Sequence, residues 1–166
     1  LRFNFDTAGL VVLRAEGDPE AVLAADRILA ENAGDWFVAE TVALVKRTLK
    51  RLDVTSRSTF AVIDHGTAFA GTLFELALAA DRSYMLDDEE ADEPVKVRLS
   101  PMNGGPYPMG NGLTRLATRF LAEPDRVAEV LAREGPFEPR EAFEAGLVTF
   151  APDDIDWEDE LRIAIE

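Results

Sequence analysis

The stretch between Phe60 and Asp81 constrains the fold more than any other part of this sequence. Residues 60–63 form a short, continuous apolar run that ends at an Asp-His-Gly turn, and residues 71–80 form a segment rich in alanine and leucine that predicts a helix. A continuous apolar run of this length is typical of a strand buried on both faces of a parallel sheet. The stretch therefore predicts an α/β fold, because a helix that follows such a strand usually crosses back to a parallel neighbour.

The rest of the sequence predicts further alternation of strands and helices. Asp18 and Pro19 suit the N-cap and the first position of a helix, and apolar residues at steps of three and four indicate a longer helix over residues 36–52. We expect one domain over residues 1–166, with a helical C-terminal part from about residue 113. The other predicted elements are strands at residues 1–5, 10–13, 82–86, 95–99 and 147–150 and helices at residues 113–121, 125–134, 139–145 and 155–166.

The chain is strongly acidic, with 32 Asp and Glu residues against 17 Lys and Arg residues and a formal net charge of −15. A surface of this sign repels phosphate backbones and anionic lipids, so we expect neither nucleic acid nor a membrane as a partner. Residues 87–93 contain six acids in seven positions. They predict a solvated loop rather than a calcium site, because the ligand spacing and the turning glycine of a calcium loop are missing.

The chain contains no cysteine, which excludes disulfides, a thiolate nucleophile and sulfur-ligated metal sites. This composition fits a reducing compartment, and we expect the cytoplasm. No apolar run approaches the roughly 20 residues of a membrane-spanning helix, and no signal-peptide pattern is visible. Because the chain starts with Leu1 and stops inside a predicted helix, we interpret it as a piece of a longer protein.

The turn between the predicted strand at 60–63 and the helix at 71–80 consists mostly of small residues. The first N–H groups of a helix lack partners within the helix, and small residues let a ligand approach them closely. Together with the helix dipole, such amides favour a negatively charged group. The alternative is an ordinary tight turn of an α/β crossover. A phosphate-binding loop is disfavoured, because neither GxxxxGK[ST] nor GxGxxG occurs.

The same stretch resembles the crotonase (enoyl-CoA hydratase/isomerase) superfamily, where a pattern close to NG-x-A-x-GGG-x-ELA-xxx-D stands in this place. Residues 111–116, NGLTRL, resemble the GG-T-x-RL segment of that superfamily, and residues 137–148, FEPREAFEAGLV, resemble its A-x-EA-xx-x-GLV segment. Residues 21–26, AVLAAD, are more distantly similar to its F-x-AG-x-D loop. The four segments occur in the same order over nearly the whole chain. The resemblance implies a crotonase-like ββα-spiral fold, here as a fragment.

Several phrases, among them FAGTLFELALAADRSYML and GLVTFAPDDIDWEDE, resemble the ring-opening enzymes of aerobic benzoyl-CoA breakdown within that superfamily. The resemblance implies a hydrolytic lyase that converts 2,3-epoxy-2,3-dihydrobenzoyl-CoA and water to 3,4-didehydroadipyl-CoA semialdehyde and formate. It implies no metal or redox cofactor, since coenzyme A is part of the substrate. It also implies a homo-oligomer. The alternatives are a generic enoyl-CoA hydratase or isomerase and a non-catalytic module that binds acyl-CoA.

The resemblance implies an anion hole that stabilises an enolate-like thioester in the transition state. One donor is expected from the amide of Gly71, or of Thr72 because the spacing to Asp81 is one residue longer than usual. The other donor is expected from the loop around Leu23 and Ala24, where this chain lacks the glycine of the superfamily pattern.

Glu75 matches the position of a catalytic glutamate of the hydratases and is the candidate for acid–base work. Burial among the apolar residues around it would raise its pKa toward neutrality. The alternatives are a glutamate on the wet side of the helix and one in a structural ion pair. A second glutamate of the hydratases is replaced at or near Pro101, which has no proton to offer. Water would then be positioned by the polar residues of this region, namely Ser100, Asn103 and Asn111.

Other residues carry weaker signals. The resemblance also implies Ala68, Phe69 and Pro108 as substrate contacts. His65, the single histidine, is interpreted as a strand-end residue with a satisfied ring rather than a base. Trp36 and Trp157 are interpreted as core or subunit-contact aromatics. A basic cluster predicts either a docking site for coenzyme A phosphates or the polar face of a helix. Its members are Lys46, Arg47, Lys50, Arg51 and Arg57.

Overall fold

A three-stranded parallel sheet lies at the centre of the structure, a computed structural model that describes residues 7–166. The middle strand is β2 (Ser58–Ile63), which pairs with β1 (Leu10–Leu13) on one side and β3 (Arg82–Met85) on the other. The predicted parallel sheet is therefore confirmed. The strand predicted at residues 1–5 lies outside the described residues.

Helices surround the sheet, and two of them begin at aspartate caps, of which the sequence analysis predicts the one at Asp18. The Asp18 carboxylate accepts the Glu20 N–H at 2.9 Å, and the Asp35 carboxylate accepts the Phe37 N–H at 2.8 Å. Each cap satisfies a donor that a helix start leaves free. The helices are α1 (Pro19–Glu31), α2 (Trp36–Leu52), α3 (Gly71–Ala79), α4 (Arg115–Arg119), α5 (Asp125–Ala132), α6 (Pro139–Glu144) and α7 (Trp157–Ile165).

Strand β2 is buried on both faces, as its continuous apolar sequence predicts. Ala61 and Ile63 belong to the main core, which also contains Phe74 of α3. Phe60 and Val62 point to the opposite face, where they pack with Leu161 of α7. Successive side chains of a strand point to opposite faces, so a strand between two helical layers needs apolar residues at every position.

Two predicted strands are wrong. Val97, in the predicted strand at residues 95–99, forms only a single antiparallel bridge with Phe137, while the next carbonyl, that of Arg98, accepts the Gly71 N–H instead. The segment therefore pairs with a different partner at each step and builds no continuous ladder. The predicted strand at residues 147–150 likewise contributes an isolated bridge, between Phe150 and Tyr84.

Helix α3 occupies the middle of the helical layer. It contacts α1, α2, α4 and a short 3-10 turn at Pro101–Gly104. Polar residues of all these elements can therefore meet around α3. Within residues 7–166, no helix has both the length and the apolar character needed to cross a membrane.

Candidate functional site

The corner where β2 leads into α3 requires a glycine. Gly71 has a φ of +45°, a backbone conformation that side-chain-bearing residues rarely adopt. A Cβ at this position would overlap the carboxylate of Asp26 and lie 3.0 Å from the Ser100 hydroxyl. The absence of a side chain is thus what lets an acidic group of α1 approach the first turn of α3.

Both amides predicted as anion-hole donors at this corner are already hydrogen-bonded. The Gly71 N–H donates to the Arg98 carbonyl at 2.8 Å, and the Thr72 N–H donates to Oδ2 of Asp26 at 2.8 Å. The expectation of one free donor at this corner, from either amide, is not met in this structure. Its physical basis still holds in part, because the start of α3 does bind an anion: the anion is the protein's own Asp26 carboxylate.

Asp26 is the centre of a buried polar cluster. Its side chain is 2% exposed and also accepts hydrogen bonds from the hydroxyls of Thr72 and Ser100, the latter at 2.6 Å. The Thr72 hydroxyl is in turn 3.1 Å from the Tyr107 hydroxyl. Burial raises the pKa of Tyr107 above its ordinary value, although the hydrogen bond with Thr72 acts against this. Asp26 therefore joins α1, α3 and the segment before the 3-10 turn.

The second predicted pair of donors, Leu23 and Ala24, lies inside α1 rather than in a loop. Amides at the fifth and sixth positions of an α-helix bond to carbonyls of the preceding turn. Leu23 is buried, whereas Ala24 is exposed. The prediction of an anion-hole donor at these residues is therefore wrong, and the physical reason is the helix that Asp18 caps immediately upstream.

Glu75 is buried and ion-paired at the same time. It is 1% exposed, its Oε1 accepts from the Asn103 side-chain amide at 2.7 Å, and its Oε2 lies 2.7 Å from Nη1 of Arg115. Burial raises the pKa of Glu75 above its ordinary value, while the hydrogen bonds from Asn103 and Arg115 act in the opposite direction. Of the alternatives, the ion pair is present and the wet helix face is wrong, while the acid–base role of Glu75 stays a prediction.

Arg115 links Glu75 to a further carboxylate. Its Nε and Nη2 donate to Asp53 at 3.0 and 2.8 Å, and the side chains of both residues are almost fully buried. Neither residue was singled out from the sequence as functional. Arg115 stands within the NGLTRL segment that carries the resemblance, which is the signal that could have identified it, whereas Asp53 at the end of α2 carries no such signal.

Of the predicted water-positioning residues, Asn103 alone is shown to contact Glu75. Its amide group also donates to the Gly71 carbonyl at 2.9 Å, and its carbonyl accepts the Ser100 N–H at 2.8 Å. Asn103 therefore connects the Asp26 cluster to Glu75. The Asn111 side chain accepts the Leu113 N–H at 3.0 Å, a contact local to its own exposed turn.

The predicted substrate contacts are in different environments. Ala68 and Phe69 are 2% and 1% exposed, and Phe69 is part of the main hydrophobic core. Pro108 is half-buried. A side chain that packs in the core contributes to the fold around the corner, so Phe69 does not present a surface to a ligand in this structure.

A cleft of about 260 Å³ lies between α1 and the segment that precedes the 3-10 turn. Its lining includes Asp26, Arg27, Arg98, Ser100 and Pro101, and it does not include Glu75. The cleft therefore reaches the Asp26 cluster from the solvent side. Glu75 lies behind this cluster, with both of its carboxyl oxygens hydrogen-bonded.

The remaining predicted residues lie outside this polar centre. The His65 ring is 3.1 Å from the Asp88 carboxylate, as expected for a satisfied strand-end histidine. Trp36 is 76% exposed, so the core alternative is wrong for it and the subunit contact stays a prediction, whereas Trp157 is partly buried against the core. In the part of the chain that the structure describes, no group of three or more acidic or histidine side chains could hold a metal ion.

The fold matches solved structures of enoyl-CoA hydratases and isomerases. An enoyl-CoA hydratase/isomerase from Cupriavidus metallidurans CH34 aligns with 97% of this chain and 57% of its own, at 17% identity and a TM-score of 0.62. An enoyl-CoA hydratase from Bacillus anthracis aligns with 77% of this chain and 46% of its own, at 19% identity and a TM-score of 0.54. At these identities the likeness establishes the fold alone.

The sequence comparison adds a nearer relative. The chain is 53% identical over its whole length to benzoyl-CoA-dihydrodiol lyase of Aromatoleum evansii, and it spans 30% of the length of that protein. No family model matches the sequence. The chain therefore has the fold of the crotonase (enoyl-CoA hydratase/isomerase) structures, as the four sequence segments indicate. The particular member that it resembles in sequence is benzoyl-CoA-dihydrodiol lyase.

Proposed function

We propose that this chain is part of an acyl-CoA lyase that opens the dearomatised ring of 2,3-epoxy-2,3-dihydrobenzoyl-CoA with water and releases formate and 3,4-didehydroadipyl-CoA semialdehyde. The observation that carries the proposal is the 53% identity, over all of this chain, to a protein named for action on a benzoyl-CoA derivative. The proposal includes no metal or redox cofactor, with coenzyme A as part of the substrate. It places the enzyme in the cytoplasm as a homo-oligomer.

The proposal assigns proton transfer to Glu75. A carboxyl whose pKa is raised by burial holds a proton more readily than an exposed glutamate, which suits it to general acid–base work. Asn103 and Arg115 fix the two carboxyl oxygens in place, which gives the group a defined direction. Asn111, on its exposed turn, stays a prediction for positioning water.

Charge that develops on the thioester oxygen requires hydrogen-bond donors, each worth about 3–4 kcal/mol. The Gly71 and Thr72 amides are excluded from this role as the structure stands, since the Arg98 carbonyl and the Asp26 carboxylate occupy them. The proposal therefore draws these donors from other amides. It also requires that substrate reach Glu75 past the Asp26 cluster.

The direct test is to incubate the full-length protein with 2,3-epoxy-2,3-dihydrobenzoyl-CoA and to assay formate. Formate formed in proportion to substrate consumed is the expected result, and no formate above background would overturn the proposal. Hydration of crotonyl-CoA in the same preparation would favour the alternative of a generic enoyl-CoA hydratase.

A second test separates an enzyme from a passive acyl-CoA-binding module. We expect Glu75→Gln to lower turnover by about 10²–10⁴-fold with little change in affinity for the CoA ester, because the loss of a general acid or base acts on the chemical step. Glu129→Gln, on the exposed side of α5, is the matched control and should leave turnover unchanged. CoA-ester binding without turnover in the wild type would favour the passive module, whereas unchanged turnover in Glu75→Gln would overturn the role of Glu75.

A further inference from the structure

Arg115 connects two carboxylates that belong to different helices. It stands at the first position of α4, and its side chain is 1% exposed. Two of its nitrogens bond to Asp53, which follows α2, and a third bonds to Glu75 of α3 at 2.7 Å. The sequence separations are 62 and 40 residues, so the contacts depend on the tertiary fold and not on helical spacing.

The two carboxylates use the guanidinium differently. Asp53 takes the side with Nε and Nη2, which is the bidentate arrangement that fixes the plane of a guanidinium most strongly. Nη1 is left for Glu75 and for the Tyr107 carbonyl at 3.3 Å. Because the guanidinium is rigid and planar, its orientation at Asp53 also determines where Nη1 meets Glu75.

The charges around the group do not balance when both carboxylates are ionised. One buried guanidinium then faces two buried negative charges. A buried charge without full compensation is unfavourable, so ionisation of Glu75 depends on how much of the Arg115 charge Asp53 already uses. The other titratable groups near this centre are Tyr107, next to Thr72, and Asp26 on α1.

We propose that Asp53 is a positioning residue for Glu75 and acts through Arg115: the carboxylate of Asp53 fixes the guanidinium, and the guanidinium fixes the carboxyl of Glu75. The role of this arrangement in catalysis rests on the proposed function. Asp53 does not hydrogen-bond to Glu75 and does not line the cleft beside Asp26, so it positions Glu75 only through Arg115. Its charge also acts on Glu75 across the intervening space.

The arrangement has a consequence for titration. The negative charge of Asp53 raises the pKa of Glu75, an effect that adds to the larger one of burial and opposes that of Arg115. Replacing Asp53 with asparagine removes that negative charge. The positive charge of Arg115 then stabilises the ionised form of Glu75 without a competing carboxylate at position 53. The midpoint of the Glu75 titration should therefore move to lower pH.

The experiment is an infrared titration of the full-length protein, in which the protonated-carboxyl band of Glu75 is assigned by its loss in Glu75→Gln. We expect Asp53→Asn to move the midpoint of this band to lower pH. Asp92→Asn is the control, since it removes the same charge from an exposed loop position and should leave the midpoint at its wild-type value. An Asp53→Asn midpoint equal to that of Asp92→Asn would overturn the proposal.

If Asp53→Asn does not fold, Arg115→Lys decides. Lysine keeps the positive charge but has no planar group that can bind the carboxylates of Asp53 and Glu75 together. The midpoint of the Glu75 titration should therefore move to higher pH, because the hydrogen bond from Nη1 of Arg115 is lost. An unchanged midpoint in this variant would contradict the proposal. In active protein, the pH profile of kcat should move with the band in Asp53→Asn, while KM stays near the wild-type value.

These measurements separate the two proposals of function and positioning. The infrared titration follows the carboxyl and needs no turnover. Absence of formate from the wild type would overturn the proposed function while the titration still decides the role of Asp53. Formate from the wild type together with an unmoved titration would overturn the positioning role alone.

Discussion

The Asp26 carboxylate accepts the backbone N–H of Thr72 at 2.8 Å, and this bond places a negative charge of α1 at the start of α3. A helix start favours such a charge because its first amides lack partners and its dipole is positive at that end. The corner that resembles the anion-stabilising turn of crotonases thus already holds an anion. Its amides stabilise the packing of α1 on α3.

The approach of Asp26 depends on the glycine at position 71, so we expect Gly71→Ala to destabilise the protein. The new Cβ would overlap the Asp26 carboxylate, and the φ of +45° would strain any residue with a side chain. The two effects together should cost about 2–4 kcal/mol. Chemical denaturation measures the loss, and Gly105→Ala is the control, since its Cβ would lie in open space. Equal effects of the two substitutions would contradict this account.

A double-mutant cycle isolates the contact between Gly71 and Asp26. Asp26→Ala alone should cost about 2–3 kcal/mol, because the Thr72 N–H and the Ser100 hydroxyl lose their acceptor. In that background the alanine at position 71 no longer meets a carboxylate. The double variant should therefore be about 1–2 kcal/mol more stable than the sum of the single losses predicts, and strict additivity would show that the two positions do not interact.

Local features of the sequence predicted much of this fold. Asp18 marks a helix start that the structure confirms, and the apolar run at β2 predicted a strand with two buried faces. These signals lie within a few residues of one another. The predicted strands at residues 95–99 and 147–150 failed because strand pairing depends on partners that are distant in sequence.

The candidate site depends on such distant contacts to a greater extent. Glu75 is ion-paired inside the fold because Arg115, which is 40 residues away in the sequence, lies next to it in the structure. The hydrogen bond from the Thr72 N–H to the Asp26 carboxylate joins residues that are 46 positions apart in the sequence. Spacing near the corner indicated a place for negative charge, but it did not contain the information on which group supplies it. Leu23 and Ala24 are a different case, since the helix that Asp18 starts extends through them and a local signal already indicated that helix.

Glu75 should make stability fall as the pH rises. Burial holds the pKa of Glu75 in the folded state above that of a glutamate in the unfolded state, so the folded state binds the proton more tightly. The free energy of unfolding therefore decreases with pH between the unfolded-state pKa and the folded-state pKa. This contribution is fully present below the ordinary carboxyl pKa and is lost above the raised one. Unfolding free energies measured across that range should show the decline for the wild type. Glu75→Gln should remove this component, and an identical pH dependence in the variant would contradict the assignment.

Arg115 should matter more to stability than any exposed arginine with a similar ion pair. Arg115→Ala would leave Glu75 and Asp53 buried without their cation, which costs about 3–5 kcal/mol when one partner of a buried pair is removed. Arg162→Ala is the matched control, because Arg162 pairs with Asp159 on the exposed face of α7. Its loss should be below about 1 kcal/mol. Lowering the pH should reduce the cost of Arg115→Ala, since protonation neutralises the stranded carboxylates, and a cost that does not change with pH would show that the guanidinium acts by packing and not by charge.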